Sequence, residues 1–205
     1  MRMNKEGLLF IISAPSGAGK TSLCNEITRF LPDLQYSVSY TTRSPREGEK
    51  NGEDYHFISN EKFQEMIDER RFVEWAEVHG NRYGTAVDSL RECRHKGKDV
   101  ILDIDGQGAR QIKDEFPDAV CIYILPPSWK ELEERLRSRR TDSDEDIIRR
   151  LRNATEEVRY VDLYDYILIN DDFNETVFLL KSIIAAERCR SERVLPLIEE
   201  FKQSL

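Results

Sequence analysis

Residues 14 to 21, APSGAGKT, keep the phosphate-cradling spacing G-x-x-x-x-G-K-[ST] at every position except the first, where Ala14 stands in place of glycine. Gly17 and Gly19 let the backbone bring successive N–H groups to bear on one anion, Lys20 sets a point charge between the outer phosphates, and Thr21 offers a hydroxyl to Mg²⁺. Pro15, Ser16, Ala18 and Ser22 complete the stretch expected to wrap those phosphates. Such a loop needs a carboxylate to orient the magnesium shell, commonly at a strand end, and DVILDID offers Asp103 and Asp105. A second cluster lies in SYTTRSPREGEKNGEDYHF. Arg43 and Arg46, three residues apart, with the phenol of Tyr55 downstream, suit a dianionic phosphate held in fixed geometry. EWAEVHGNRYGTA then adds Glu74, Tyr83 and Thr85.

The elements that must position these groups are legible as periodicities. The cradle follows the apolar run LLFII and precedes Leu23, Ile27, Phe30 and Leu31 at helical spacing, which Pro32 closes. Strand before and helix after are the setting a phosphate loop requires, and the helix N-terminus adds its own affinity for anions. Apolar runs at 8 to 12, 99 to 104, 119 to 125 and 166 to 169, separated by helical patterns, predict the buried strands of a parallel sheet with helical crossovers, an α/β core. Between 35 and 88 the texture turns short, aromatic and alternating, which predicts an inserted lobe with its own small sheet; Trp75 is expected in its core. PPSWKELEERLRSRR carries Ser128 and Glu131 at capping-box spacing, and Ser143 and Asp146 repeat it beyond the acidic TDSDED. Two helices with a polar tip predict a mobile flap. The tail from FNETVF onward predicts two more helices on the core. The expected division is a core of 1–34, 89–126 and 160–205, a lobe of 35–88 and a lid of 127–159.

Composition limits the function. A chain of 205 residues suits one domain, or a compact core carrying inserted lobes. Its formal net charge of -8 argues against a surface that tracks nucleic acid, so phosphate chemistry must rely on local basic clusters. The four cysteines, at 24, 93, 121 and 189, have neither CxxC nor metal spacing and read as thiols in a reducing compartment. His56, His79 and His95 also lack metal spacing. The N-terminal apolar patch is short and runs straight into the glycine motif, and no other stretch is long enough for a membrane. A cytoplasmic protein without membrane or nucleic-acid partners is expected.

Taken in order, SAPSGAGKTSL, the arginine stretch, FVEWAEVHGNRYGT, DVILDIDGQGA and ILINDD resemble the successive motifs of guanylate kinases over nearly the whole chain. The resemblance implies a P-loop NTPase parallel-sheet core flanked by helices, a small mixed-β lobe binding the nucleoside monophosphate, and a helical lid. Alanine at position 14 is compatible with bacterial members of that family. The implied reaction is ATP + GMP giving ADP + GDP, with Mg²⁺ and with dGMP as a further acceptor. Guanine presents N1–H and an exocyclic amine as adjacent donors, which Glu74 can accept. Its O6 wants a donor, which Ser39 or Thr85 can supply, and Asp105 can add an acceptor near the base. The resemblance puts Arg43, Arg46, Tyr55 and Tyr83 on the GMP phosphate and Asp103 between acceptor and metal. It also closes Arg135, Arg139 and Arg150 over the phosphates and sets Asn170 at the adenine end. Arg137, Arg140 and Arg149 read instead as a solvated helix face. A related scaffold-type domain that binds phosphopeptides would be expected to lose Lys20 or the lid arginines. A kinase for another acceptor would not be expected to combine Glu74 with Ser39 and Thr85.

Overall fold

The computed structural model describes residues 6–78, 80–138 and 143–203. The first strand, β1 (Leu9–Ser13), is buried along its full length and turns through the glycine loop into α1 (Lys20–Phe30). β2 (Leu34–Tyr36) follows, then a lobe made of β3 (Tyr40–Thr41), β4 (His56–Phe57), α2 (Asn60–Asp68), β5 (Phe72–Val78) and β6 (Asn81–Ala86). The chain returns through α3 (Val87–His95) to β7 (Asp99–Asp103), α4 (Gly106–Glu115) and β8 (Val120–Leu125). Beyond these lie α5 (Trp129–Ser138), α6 (Asp144–Glu157), a 3-10 segment Val158–Leu163 and β9 (Tyr166–Ile169). α7 (Phe173–Arg188) and α8 (Ser191–Gln203) end the described chain.

Five strands form the core sheet in the order β2-β7-β1-β8-β9, and every neighbouring pair is parallel. Because successive side chains leave a strand on opposite faces, a β1 that is apolar from Leu9 to Ile12 must be covered on both. Phe10 and Ile12 pack with Leu23 and Ile27 of α1 and Leu180 and Ile184 of α7, while Leu9 and Ile11 pack with Leu90 of α3 and Ile112 of α4. Truncating one of these fully buried side chains, such as Ile27, to alanine costs about 2 to 5 kcal/mol. The register sets Ile12 beside Asp103 and Ser13 beside Tyr123, so the C-terminal ends of the three central strands lie at the same edge of the sheet, where the loops leaving them share one crevice.

The edge strand β2 departs from the expected division. Leu34, Gln35 and Tyr36 pair with Asp99, Val100 and Ile101, so residues 35 and 36 lie in the core sheet although the lobe was expected to begin at 35. Three residues with a single buried side chain are too few to show a periodicity. The helix α3 likewise starts at Val87, inside the stretch expected to be lobe.

The second sheet runs β4-β3-β6-β5, with β3 parallel to β4 and antiparallel to β6. Phe63 of α2 stacks on Phe72 with ring centres 4.5 Å apart, and Met66 is buried beside them on the same helix. A register shift between Phe72 and Glu74 sets Glu74 opposite Thr85. The alternation that follows buries Glu74 and Ala76 and turns Trp75 outward, against the expectation of a core tryptophan. α5 and α6 pack through Leu132, Leu136, Ile147 and Ala154. Ser143 and Asp146 form the anticipated capping box, and Ser128 accepts the Glu131 N–H at 3.1 Å. Among the described residues no helix is long and apolar enough to cross a membrane.

Candidate active site

The loop between β1 and α1 owes its shape to two glycines in the left-handed region, Gly17 at φ 101° and Gly19 at φ 93°, where a side chain would be strained. No side chain caps α1, so the first N–H groups of the helix are left for an anion. Lys20 Nζ lies 2.7 Å from Asp103 Oδ1 and donates to the Ile104 carbonyl at 3.2 Å. Burial works against its positive charge, but the charge and hydrogen bond of Asp103 outweigh that and hold the ammonium above its ordinary range. Thr21 Oγ1 donates to Asp103 Oδ2 at 3.0 Å.

These two oxygen-bearing groups beside the loop fit a magnesium ion that keeps water and phosphate oxygens for the rest of its shell. Among the described residues no group of three or more His, Cys, Asp or Glu could hold a metal alone, so phosphate must supply part of any such site.

Opposite the loop, across a cleft of roughly 300 Å³, stands the lobe. Ala14, Pro15, Ser16, Gly17, Gly19 and Ser22 line one wall; Ser39, Arg43, Arg46, Tyr55, Glu74 and Tyr83 line the other, with Asp103, Asp105 and Arg150 between them. Arg43 lies over the Tyr55 ring at 5.4 Å, and the Tyr55 and Tyr83 rings meet edge to face at 5.9 Å. Deeper in the lobe, Thr85 Oγ1 donates to Glu74 Oε1 at 2.5 Å, and both residues are buried. Burial pushes the Glu74 carboxyl up to about 7, opposed by the Thr85 hydrogen bond and assisted by the negative charge of Asp105. Asp105 caps α4 by accepting the Gly108 N–H at 2.8 Å. A Cβ on Gly108 would stand 2.7 Å from Glu74 Oε2, so glycine is what lets the carboxylate lie against the helix.

Some expected residues lie elsewhere. Asn170 is buried, donating from Nδ2 to the Ala18 carbonyl at 2.7 Å and accepting from Thr176 at Oδ1. With a hydrogen bond at each end of its amide, it braces the back of the loop. Arg135 donates to Glu131 and to the Asn170 carbonyl, both at 3.1 Å, which ties α5 to the end of β9. Arg150 does reach the loop, donating to Ser16 Oγ at 2.9 Å. Arg139, Arg140 and His79 lie outside the described residues. Arg137 and Arg149 make exposed ion pairs with Glu133, Asp144 and Asp146, as a solvated face would. Ala18 is fully buried beneath the loop, Thr85 sits behind Glu74, and His56 stacks on Tyr40.

Three residues of the site were not anticipated. Glu157, at the root of α6, lines the cleft, and burial pushes its carboxyl up to about 7. Nothing in TEEV distinguishes it from an exposed helix end. Glu49 pairs with Arg43; the short separation of opposite charges within one basic loop was the available signal. Gly108 was visible as the second glycine of DGQGA.

Comparison with known proteins follows the same lines. Residues 6–187 match the family model described as guanylate kinase. A protein named guanylate kinase from Geobacter metallireducens is 56% identical over 198 residues, covering 97% of this chain and 98% of that one. Its counterpart from Geobacter sulfurreducens is 56% identical over 199 residues, with the same coverage. The crystal structure of guanylate kinase from Anaplasma phagocytophilum superposes with a TM-score of 0.78 at 33% identity, over 93% of this chain and 92% of its own.

Proposed function

This chain belongs to the guanylate kinase family, a family of nucleoside monophosphate kinases, and from that premise we propose that it transfers the γ-phosphoryl group of ATP to GMP. The observation that carries the acceptor's identity is the buried Glu74–Thr85 pair facing the phosphate loop across a single cleft. Guanine's N1–H and amino group donate to Glu74, whose remaining oxygen is not taken by Thr85. Ser39, in the same wall, supplies a donor for O6, and Asp105 adds an acceptor beside the base. Adenine would set an acceptor against the carboxylate and leave a buried charge unpaired, a mismatch that discriminates strongly. The reading extends to dGMP, which has the same base and phosphate.

Arg43 and Arg46, with the Tyr55 and Tyr83 hydroxyls, hold the acceptor phosphate. That phosphate is its own nucleophile, because its second ionisation lies near a pH of about 6 and no protein base is needed. The loop N–H groups and Lys20 hold the ATP phosphates, and Thr21 and Asp103 would hold Mg²⁺. Held there, the ion would supply positive charge to offset the charge developing on the phosphate oxygens. Arg150 already borders the loop; on closure of the lid over the lobe, Arg135 and Arg139 join it around the transferring group. The net charge of -8 supports free nucleotides as partners in preference to nucleic acid, and the four free cysteines support a reducing, cytoplasmic setting.

An ADP-release assay with ATP and Mg²⁺ against GMP, dGMP, AMP, CMP and UMP tests the reading. Turnover confined to the guanine nucleotides supports it. Equal turnover with AMP, or none with GMP, contradicts it.

A further inference from the structure

The acceptor arginines are arranged around a carboxylate to which the reading above gives no role. Glu49 Oε1 accepts from Arg43 Nη2 at 2.8 Å and Oε2 from Arg43 Nη1 at 3.0 Å, so the carboxylate spans the end of the guanidinium. The same Oε2 accepts the backbone N–H of Arg46 at 2.6 Å, and the Ser44 carbonyl takes another Nη1 hydrogen at 2.8 Å. The two side chains are largely withdrawn from water, Arg43 14% and Glu49 18% exposed. A surface ion pair of this type would normally contribute little. This one is bidentate, shielded and shared by two residues of the site.

A guanidinium has five N–H donors in a rigid plane. Glu49 and Ser44 take both Nη1 hydrogens and one on Nη2. The edge formed by Nε–H and the second Nη2 hydrogen is left, with the Tyr83 hydroxyl within reach of the same guanidinium. That side-on edge is a complete two-donor fork for phosphate oxygens. We infer that Glu49 is a positioning residue for the acceptor phosphate: it clamps Arg43 by its end and Arg46 by its backbone, presenting the side-on fork in a fixed orientation. The inference rests on reading the chain as a kinase that accepts GMP.

The sign of the effect separates positioning from charge. A carboxylate near a dianion repels it, so if Glu49 acted through charge alone, removing it would tighten the acceptor. If it positions the fork, removing it loosens the acceptor even though the site becomes more positive. The test compares Glu49→Gln, Glu49→Ala and Glu49→Asp with the parent, measuring KM for GMP, KM for ATP and the thermal midpoint. The expected result is a KM for GMP raised about ten-fold or more in Gln and Ala. KM for ATP stays within about two-fold, and Asp recovers part of the loss because it restores an anionic acceptor. A KM for GMP that is unchanged or lower overturns the inference. So does a parallel rise in both KM values with a fallen midpoint, which marks general damage to the lobe. A parent that does not turn over GMP defeats the underlying reading and this inference with it. A parent that does, with variants equal to it, defeats only the inference.

Discussion

The two walls of the cleft are built in different ways. The loop wall is mostly backbone: glycine torsions, an uncapped helix N-terminus and Lys20, all within a dozen contiguous residues anchored between the buried β1 and α1. The lobe wall is mostly side chains brought together from distant positions, Arg43 with Tyr55 and Tyr83, and Glu74 with Thr85 across the β5–β6 hairpin. Every nucleotide has the phosphates that a backbone cradle recognises, so the first wall can be common to many enzymes. On the proposed reading the base is met by the Glu74 and Ser39 side chains of the lobe, so selectivity belongs to the second.

Lys20→Ala breaks this comparison hardest from the loop side. Turnover falls about 100- to 1,000-fold, as for removal of a group that stabilises developing charge, while GMP binding without ATP stays near that of the parent. Equal losses in both would join the walls that the geometry separates.

Glu74→Gln attacks the other wall. The preference for GMP over AMP drops about 100-fold or more, because an amide cannot accept from both guanine donors with full charge. Its pH behaviour sharpens the point. The parent's Glu74 carboxyl, raised to about 7 by burial, takes up a proton in the folded chain at pH values where the unfolded chain does not. Its contribution to the stability of the free protein is therefore fully present below the ordinary carboxylate range and is lost as pH rises through about 7. Guanine binds the ionised form, so GMP affinity rises from pH 6 to pH 8. The acceptor phosphate also titrates in this region, with a second ionisation near a pH of about 6, and the negative charge of Asp105 acts on Glu74 as well. The Glu74→Gln variant, which retains both, isolates the Glu74 share as the part of the slope that disappears.

Gly108→Ala is subtler. A Cβ 2.7 Å from Glu74 Oε2 must push that carboxylate aside, so KM for GMP rises about ten-fold at most. Alanine is the better helix former, so the thermal midpoint holds or rises slightly. A fallen midpoint with unchanged KM would make Gly108 a packing residue. The smallest expected effect is compaction: X-ray scattering should show a slightly reduced radius of gyration with both nucleotides bound, as the lobe and lid close. An unchanged radius would make the open cleft the working form.

Legibility in the sequence follows the same division. The loop could be read from eight consecutive residues because backbone conformation is set locally, by Gly17 and Gly19. The core strands could be read because an all-apolar run such as LLFII has few places to go other than a doubly covered sheet. The lobe was legible as a change of texture between 35 and 88, but its site only as an ordered set of motifs. Its decisive contacts depend on a register shift at Phe72 to Glu74 and on a hairpin pairing, and neither has a local sequence signature. For the same reason Trp75 was placed on the wrong face. The bracing role of Asn170 has no local signal either, because its amide meets Ala18 and Thr176, partners 152 and 6 residues away in the chain. Glu157 has no signal because an acidic residue at a helix end is ordinarily solvated, and only the fold buries it within electrostatic reach of Lys20 and Asp105.

The central claim is that the two walls recognise their ligands separately. Calorimetric titration of GMP, without ATP, into the parent, Lys20→Ala and Glu74→Gln proteins tests it most directly. The account predicts parent-like GMP affinity for Lys20→Ala and a loss of about ten-fold or more for Glu74→Gln. Weakening in Lys20→Ala as large as in Glu74→Gln would contradict it.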